Sequence, residues 1–253
     1  MNGVAIVTGA GRGIGAATAK LLASRDYAVC VNYLNDHVSA EAVVMQIRQA
    51  GGKAIAIKAD VSKENDVLAL FERVEQTLGI VTHLVNNAGV LLPQSRLVDL
   101  DAARFNQMMQ TNVTSCFLCS KTFIQRLQSS DLLADGTLFN SAIVNVSSAA
   151  ARTGAPFEYI DYAASKGAMD SLTKGLSIEV AELGIRVNSV RPGFIHTQMH
   201  ADGGEPERVS RLAPQIPLKR GGTPNEVANA IAWLLSEDAS YVTGSFIDLA
   251  GGK

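Results

Sequence analysis

Near its start the chain reads Val4-Ala5-Ile6-Val7-Thr8-Gly9-Ala10-Gly11-Arg12-Gly13-Ile14-Gly15. Four apolar residues with no charge among them predict a buried strand, and a helical pattern opens at Gly13. Glycine is needed where the backbone turns tightly and must approach a pyrophosphate within hydrogen-bond distance. The helix behind the turn offers free N–H groups and a dipole that favours an anion. A glycine cluster by itself marks any tight turn. With a strand before it and a helix after it, it reads as a dinucleotide-binding loop, although the spacing departs from G-x-G-x-x-G.

The same alternation continues to the other end of the chain. Short apolar runs at Val4–Thr8, Ala28–Tyr33, Ala54–Ala59, His83–Asn86, Ala142–Val146, Arg186–Val190 and Ser245–Leu249 read as buried parallel strands. Helical patterns lie between them, at Gly13–Arg25, Val38–Ala50, Glu64–Leu78, Ala102–Leu127, Tyr162–Leu183 and Asn225–Leu235. Strand–helix alternation throughout implies an α/β, doubly wound parallel sheet with helices on both faces. Thr223-Pro224 suits a capped helix start. No linker rich in Pro or Ser divides the sequence, so residues 1–253 are read as one dinucleotide-binding and catalytic domain. The most irregular stretch, His196–Gly222, is either a lid over a substrate or a surface excursion.

The second strand ends about 18 residues beyond Gly15, where an acid would bind the adenosine ribose and select NAD. The sequence there is Val31-Asn32-Tyr33-Leu34. Without a carboxylate, a 2′-phosphate is not repelled and Arg12 can pair with it, which favours NADP(H) and leaves NAD(H) possible. Asp36 is the competing acid, placed further into the turn. Asp60-Val61, after the third strand, could meet an adenine amino group, or Asp60 could simply cap a helix. Asn86-Asn87-Ala88-Gly89 follows the fourth strand, at the sheet edge where ligands bind, and also suits a turn.

Of five tyrosines, only Tyr162 has a lysine, Lys166, four residues on. On a helix the two share a face. A phenol is a poor base at neutral pH, and a lysine charge about 5 Å away is worth roughly 3 kcal/mol, or about two pKa units. Upstream, Asn145-Val146-Ser147-Ser148 ends the fifth strand. A hydroxyl there can hold a substrate oxygen against the tyrosine; Ser148 is the choice and Ser147 the alternative. Asn112, inside the long helix after the fourth strand, either packs the helix or holds a water beside the lysine.

Composition narrows the function classes. The 253 residues carry a formal charge of −2, too little basic excess for a nucleic-acid partner. No apolar stretch reaches the roughly 18 residues of a membrane span. Three cysteines make no disulfide framework, and no basic segment precedes the first apolar run, so a cytoplasmic location is expected. Cys116 and Cys119 have C-x-x-C spacing, but no second ligand pair exists, and they read as packing residues; no metal is expected.

Taken together, these motifs resemble the single-domain branch of the short-chain dehydrogenase/reductase superfamily, in its glucose 1-dehydrogenase-like and 3-ketoacyl reductase-like members. The resemblance spans the chain. It rests on Thr8–Gly15, Asp60-Val61, Asn86–Gly89, Asn112, Ser148, Tyr162, Lys166, and Arg191-Pro192-Gly193 with Thr197. It implies a Rossmann-like sheet of seven parallel strands and hydride transfer at nicotinamide C4, to or from a small-molecule carbonyl or alcohol. In that family the residues matching Ser148, Tyr162, Lys166 and Asn112 polarise the carbonyl, move the proton, bind the nicotinamide ribose and complete a relay. Ile195 and Thr197 would contact the carboxamide and pyrophosphate side. A homotetramer is implied too, packed through the helices of Asn112 and Tyr162, with Cys116 and Cys119 near an interface. The spacing from Ser148 to Tyr162 is one residue longer than in the usual ketoacyl reductase pattern, which counts against a fatty-acyl substrate. A 3-ketoacyl carrier-protein reductase, docking through Lys219, Arg220, Arg208 and Arg211, is the second reading. A non-catalytic NADP(H) sensor is the third.

Overall fold

The computed structural model describes residues 2–130 and 140–253. The apolar run before the glycines forms β1 (Gly3–Val7), and it is buried on both sides. Val4 and Ile6 enter one core, while Ala5 and Val7 enter the other. That two-sided burial is why the strand shows no polar alternation. The other strands are β2 (Tyr27–Tyr33), β3 (Lys53–Lys58), β4 (Val81–Asn86), β5 (Ser141–Val146), β6 (Ile185–Pro192) and β7 (Phe246–Leu249). All pair in parallel, in the order β3-β2-β1-β4-β5-β6-β7. The doubly wound seven-stranded sheet expected from the sequence is thus present. The strand order reverses between β1 and β4, which opens a crevice at their carboxyl ends.

Helices cover both faces. They are α1 (Gly13–Ser24), α2 (His37–Gln49), α3 (Glu64–Leu78), α4 (Ala102–Met109) and α5 (Ser115–Gln128) in the first half. Then follow α6 (Ala150–Thr153), α7 (Ile160–Glu179), α8 (Met199–Asp202), α9 (Arg208–Leu212) and α10 (Pro224–Leu235). Thr223 caps α10 in a full capping box with Glu226, as its Thr-Pro start suggested. The helix expected over Ala102–Leu127 is not continuous, because Gln110–Thr114 is π-helical between α4 and α5. One widened turn leaves no mark in the 3.6-residue apolar period, which resumes beyond it.

The stretch 196–222 is not a bare excursion. It folds into α8 and α9 and buries Val209, Leu212 and Ile216. Among the described residues no helix is long and apolar enough to cross a membrane.

One buried group ties the fold to acidity. His83 on β4 is 1% exposed, with Tyr27 edge-on at 4.9 Å between ring centroids. Burial first, then the nearby Arg186 guanidinium, pushes its pKa down to about 4. Its folded pKa lies below the unfolded value, so stability is complete above about pH 6.5 and declines as pH falls toward 4. The loss amounts to about 3 kcal/mol at most. The fall in urea midpoint from pH 7.5 to pH 5 should be larger for the wild type than for His83→Gln; equal falls would show that folding does not depress the His83 pKa.

Candidate active site

The two central strand ends are stitched together by one hydroxyl. Thr8 Oγ1 accepts hydrogen bonds from the Asn87 and Ala88 N–H groups, both at 2.9 Å. Asn87 Nδ2 returns bonds to the Thr8 and Gly9 carbonyls at 2.8 and 3.1 Å. Gly15 must be glycine, since a Cβ there would lie 2.5 Å from Asn87 Nδ2. Gly9 and Gly13 hold φ of +61° and +55°, which side chains resist. Arg12 caps α1 in extended conformation and supplies no side-chain cap. The first N–H groups of α1 therefore have no partner within the helix and point out of its end.

A cleft of about 460 Å³ opens over this loop. Gly9, Gly11, Arg12, Gly13 and Ile14 form its floor, Asn32, Tyr33, Asp60 and Val61 one end, and Asn87, Ala88, Gly89 and Thr197 the other. Its size, the uncapped helix and the close-packed glycines suit a dinucleotide, with the pyrophosphate against α1. A second cleft of about 280 Å³ is lined by Ser148, Tyr162, Lys166, Pro192, Gly193 and Ile195. The two share Ile14, Asn87, Thr197 and Met199 as walls, so a ligand can run from one into the other. Of the candidate catalytic and cofactor-binding residues, Gly15 and Asn112 line neither cleft.

Several residues take parts other than those expected. The Asn32 amide is taken up inside the fold, accepting from the Gly9 N–H at 3.3 Å and donating to the Ala59 carbonyl at 3.1 Å. Asp60 does not cap α3, whose cap position is Lys63; it accepts instead from the Ser62 N–H and hydroxyl. Asp36, although further into the turn, reaches the cleft. It caps α2 through the Ser39 N–H and lines the nucleotide-side cleft beside Tyr33.

Asn112 is fully buried in the π-helical turn. Its Oδ1 accepts the Val90 N–H at 2.8 Å, and its Nδ2 donates to Ser165 Oγ at 3.0 Å. Both ends of the side-chain amide are therefore engaged with protein groups. Ser165 Oγ in turn donates to the Tyr162 carbonyl at 2.7 Å, so Asn112 fixes the first turn of α7. Gly89 permits this close packing, because a Cβ on it would stand 3.2 Å from Asn112 Oδ1. Ser165 and Val90 have no signal in the sequence; only the fold brings them to Asn112.

Ser147 and Ser148 separate cleanly. Both line the second cleft, but Ser147 is 2% exposed and donates to the Lys166 carbonyl, whereas Ser148 is the one that hydrogen-bonds with Tyr162. The Tyr162 phenol is pushed up to about 12 by burial, with the Ser148 bond pulling the other way. The net direction is thus opposite to the lowering by Lys166 that the spacing suggested. The lysine Nζ donates to the Val146 carbonyl at 2.8 Å and lies 5.6 Å from the centre of the tyrosine ring, and burial lowers its own pKa to about 8. Loss of hydration around a phenolate outweighs one partly desolvated ammonium at that distance.

The profile of the Enoyl-(Acyl carrier protein) reductase family matches residues 9–253. The chain is 56% identical over 250 residues, 99% of each chain, to an Escherichia coli K12 protein described as uncharacterized oxidoreductase YgfF. It is 34% identical to glucose 1-dehydrogenase 2 of Bacillus subtilis, covering 98% of this chain and 93% of that one. It belongs to the short-chain dehydrogenase/reductase superfamily. Among solved structures of that superfamily, a Serratia marcescens short-chain dehydrogenase/reductase superposes with a TM-score of 0.88 at 33% identity, over 99% of this chain and 97% of the other. A Sinorhizobium meliloti dehydrogenase/reductase gives 0.88 at 31% identity, over 99% and 94%. As a member of this superfamily the chain is an NAD(P)(H)-using oxidoreductase for CH–OH and C=O groups.

Neither Cys116 nor Cys119 lines either cleft. Cys116 and Cys119 are 1% and 0% exposed, and Cys116 Sγ faces Asn145 Oδ1 at 3.4 Å. They point into the sheet rather than toward an outer helix face, and burial pushes the Cys116 thiol up to about 12. Phe117, between them in sequence, is the large apolar side chain that α5 exposes.

Proposed function

We propose that this protein is an NADP(H)-preferring dehydrogenase or reductase for a small carbonyl or secondary alcohol, with Tyr162 as the acid/base. The carrying observation is that Ser148, Tyr162 and Lys166 meet on one cleft wall that continues into the glycine-loop cleft. When bound, the nicotinamide supplies or accepts a hydride at its C4. Ser148 holds the substrate oxygen by a hydrogen bond, and the protonated Tyr162 phenol donates to that same oxygen in the reducing direction. Lys166 is read as the residue for the nicotinamide ribose, with Ile195 and Thr197 beside the carboxamide and pyrophosphate. Arg12 is read as the residue for the 2′-phosphate. A cytoplasmic homotetramer completes the proposal.

The substrate is placed among small molecules such as a sugar or a small ketone, not acyl carriers. A 3-oxoacyl-[acyl-carrier-protein] reductase of Staphylococcus aureus is 36% identical over all of this chain and 98% of its own. Docking an acidic carrier needs available cations; of the four candidates Lys219 donates to the Pro214 carbonyl, and the three arginines stand in ion pairs that a carrier would have to displace. Arg208 is 5% exposed and paired with Glu158 and Glu205, Arg211 pairs with Glu205, and Arg220 pairs with Glu226.

Following reduced-nicotinamide absorbance with a panel of sugars, ketones and acyl thioesters separates the readings. Turnover of a small carbonyl supports the proposal. Turnover of thioesters alone makes the carrier reading correct, and cofactor binding without any turnover makes the protein a sensor. On the cofactor side, Arg12→Ala should weaken NADPH by about 1.5–3 kcal/mol, the worth of bonds to a charged group. Tighter binding of NADH than NADPH by the wild type would contradict the preference.

A further inference from the structure

Arg12 does not stand free in the nucleotide-side cleft. Its guanidinium is ion-paired with Asp202 at the end of α8, in the stretch that also walls the substrate side. Both side chains are about half exposed, at 54% and 46%, so the pair can exchange partners with solutes. Asp202 is held in place rather than carried on a loose loop. Next to it, Gly203 packs so tightly on Leu91 that a Cβ would lie 2.9 Å from Leu91 Cδ2, and the Gly203 carbonyl accepts from Tyr159 Oη at 3.3 Å.

The charges around the cleft make this pairing matter. Among the described residues lining it, Arg12 is the one cation, while Asp36 and Asp60 bring two carboxylates. Asp60 has a neighbour in Lys63 at 3.2 Å, and Asp36 is engaged in capping α2. Any phosphate that reaches Arg12 must share the guanidinium with the Asp202 carboxylate or displace it, and lies near a like charge either way. A phosphate monoester carries close to two negative charges at neutral pH, so it can win this exchange at reduced net gain. A cofactor with a bare ribose does not compete and leaves the pair closed.

We propose that Asp202 is a cofactor-specificity residue, which narrows the preference for NADPH over NADH by occupying Arg12. This rests on the reading above that Arg12 receives the 2′-phosphate. Asp202 touches no reacting atom, lies on the surface, and can be changed without opening the core.

The test is calorimetric binding of NADPH and NADH to the wild type, Asp202→Asn, Arg12→Ala and the double variant. Asp202→Asn should tighten NADPH about three- to fivefold, the worth of a surface ion pair, and change NADH less than about twofold. In the Arg12→Ala background the same change should shift NADPH less than about twofold. If Arg12→Ala weakens NADPH but Asp202→Asn leaves it unchanged, the role given to Asp202 is wrong and that of Arg12 stands. If Arg12→Ala leaves NADPH unchanged, the phosphate site lies elsewhere and both assignments fall.

Discussion

Tyr162→Phe should lower turnover by about a thousandfold or more while cofactor affinity changes less than about threefold, because a positioned proton donor contributes 10²–10⁴ in rate. The change removes one oxygen and keeps the ring. That oxygen hydrogen-bonds with Ser148, and its proton is firmly held, with burial raising the phenol to about 12. A protonated phenol is the form needed to deliver a proton to a carbonyl being reduced. The ring itself packs under the Lys166 ammonium, so its retention keeps α7 and the lysine in place. Steady-state kinetics with the best carbonyl of the panel, together with calorimetric cofactor binding, check this. Near-normal turnover in Tyr162→Phe would remove the phenol from the mechanism.

Arg186→Met carries the largest expected cost in stability, about 3–5 kcal/mol. Arg186 projects from β6, is 8% exposed, and gathers the carbonyls at the end of α10. Its Nη1 donates to Leu234 and Ala239 at 2.6 and 3.0 Å, and its Nη2 to Leu235, Ser236 and Asn140 Oδ1 at 3.2, 3.1 and 2.8 Å. The last carbonyls of a helix have no partners within it, and a buried cation satisfies both their hydrogen bonds and the negative end of the dipole. Methionine fills the space but leaves these acceptors bare. Arg186→Lys should recover only part of the loss, since one ammonium cannot reach five acceptors in a planar fork. Urea unfolding measures both, and a Met variant within about 1 kcal/mol of wild type would show that water replaces the guanidinium without penalty. The link to function is direct, because β6 continues into Pro192 and Gly193 on the cleft wall.

What the sequence made legible, and what it hid, follows the range of the forces involved. The strands declared themselves because burial on both faces demands unbroken apolar runs. The glycine loop did so because Gly9 and Gly13 adopt backbone angles that few other residues tolerate. The pairing of Tyr162 with Lys166 was visible from helical spacing, yet its electrostatic consequence was not. Four residues on a helix fix the positions of two Cα atoms; they do not say that Nζ turns to the Val146 carbonyl or how dry the phenol is. Asn112 was visible as an odd amide in an apolar helix, but its partners Val90 and Ser165 come from other segments. Asp36 looked distant when counted along the chain, whereas the turn folds it back beside Tyr33. The Arg12–Asp202 pair, 190 residues apart in sequence, had no local sign at all.

Single-turnover transfer of deuterium from C4-labelled NADPH to a small carbonyl, by wild type and Tyr162→Phe side by side, tests the central claim most directly. The wild type should place the label on the carbinol carbon within one turnover, and Tyr162→Phe, with cofactor and substrate bound, should transfer it about a thousandfold more slowly. Label transfer at comparable rates by both proteins would contradict the account.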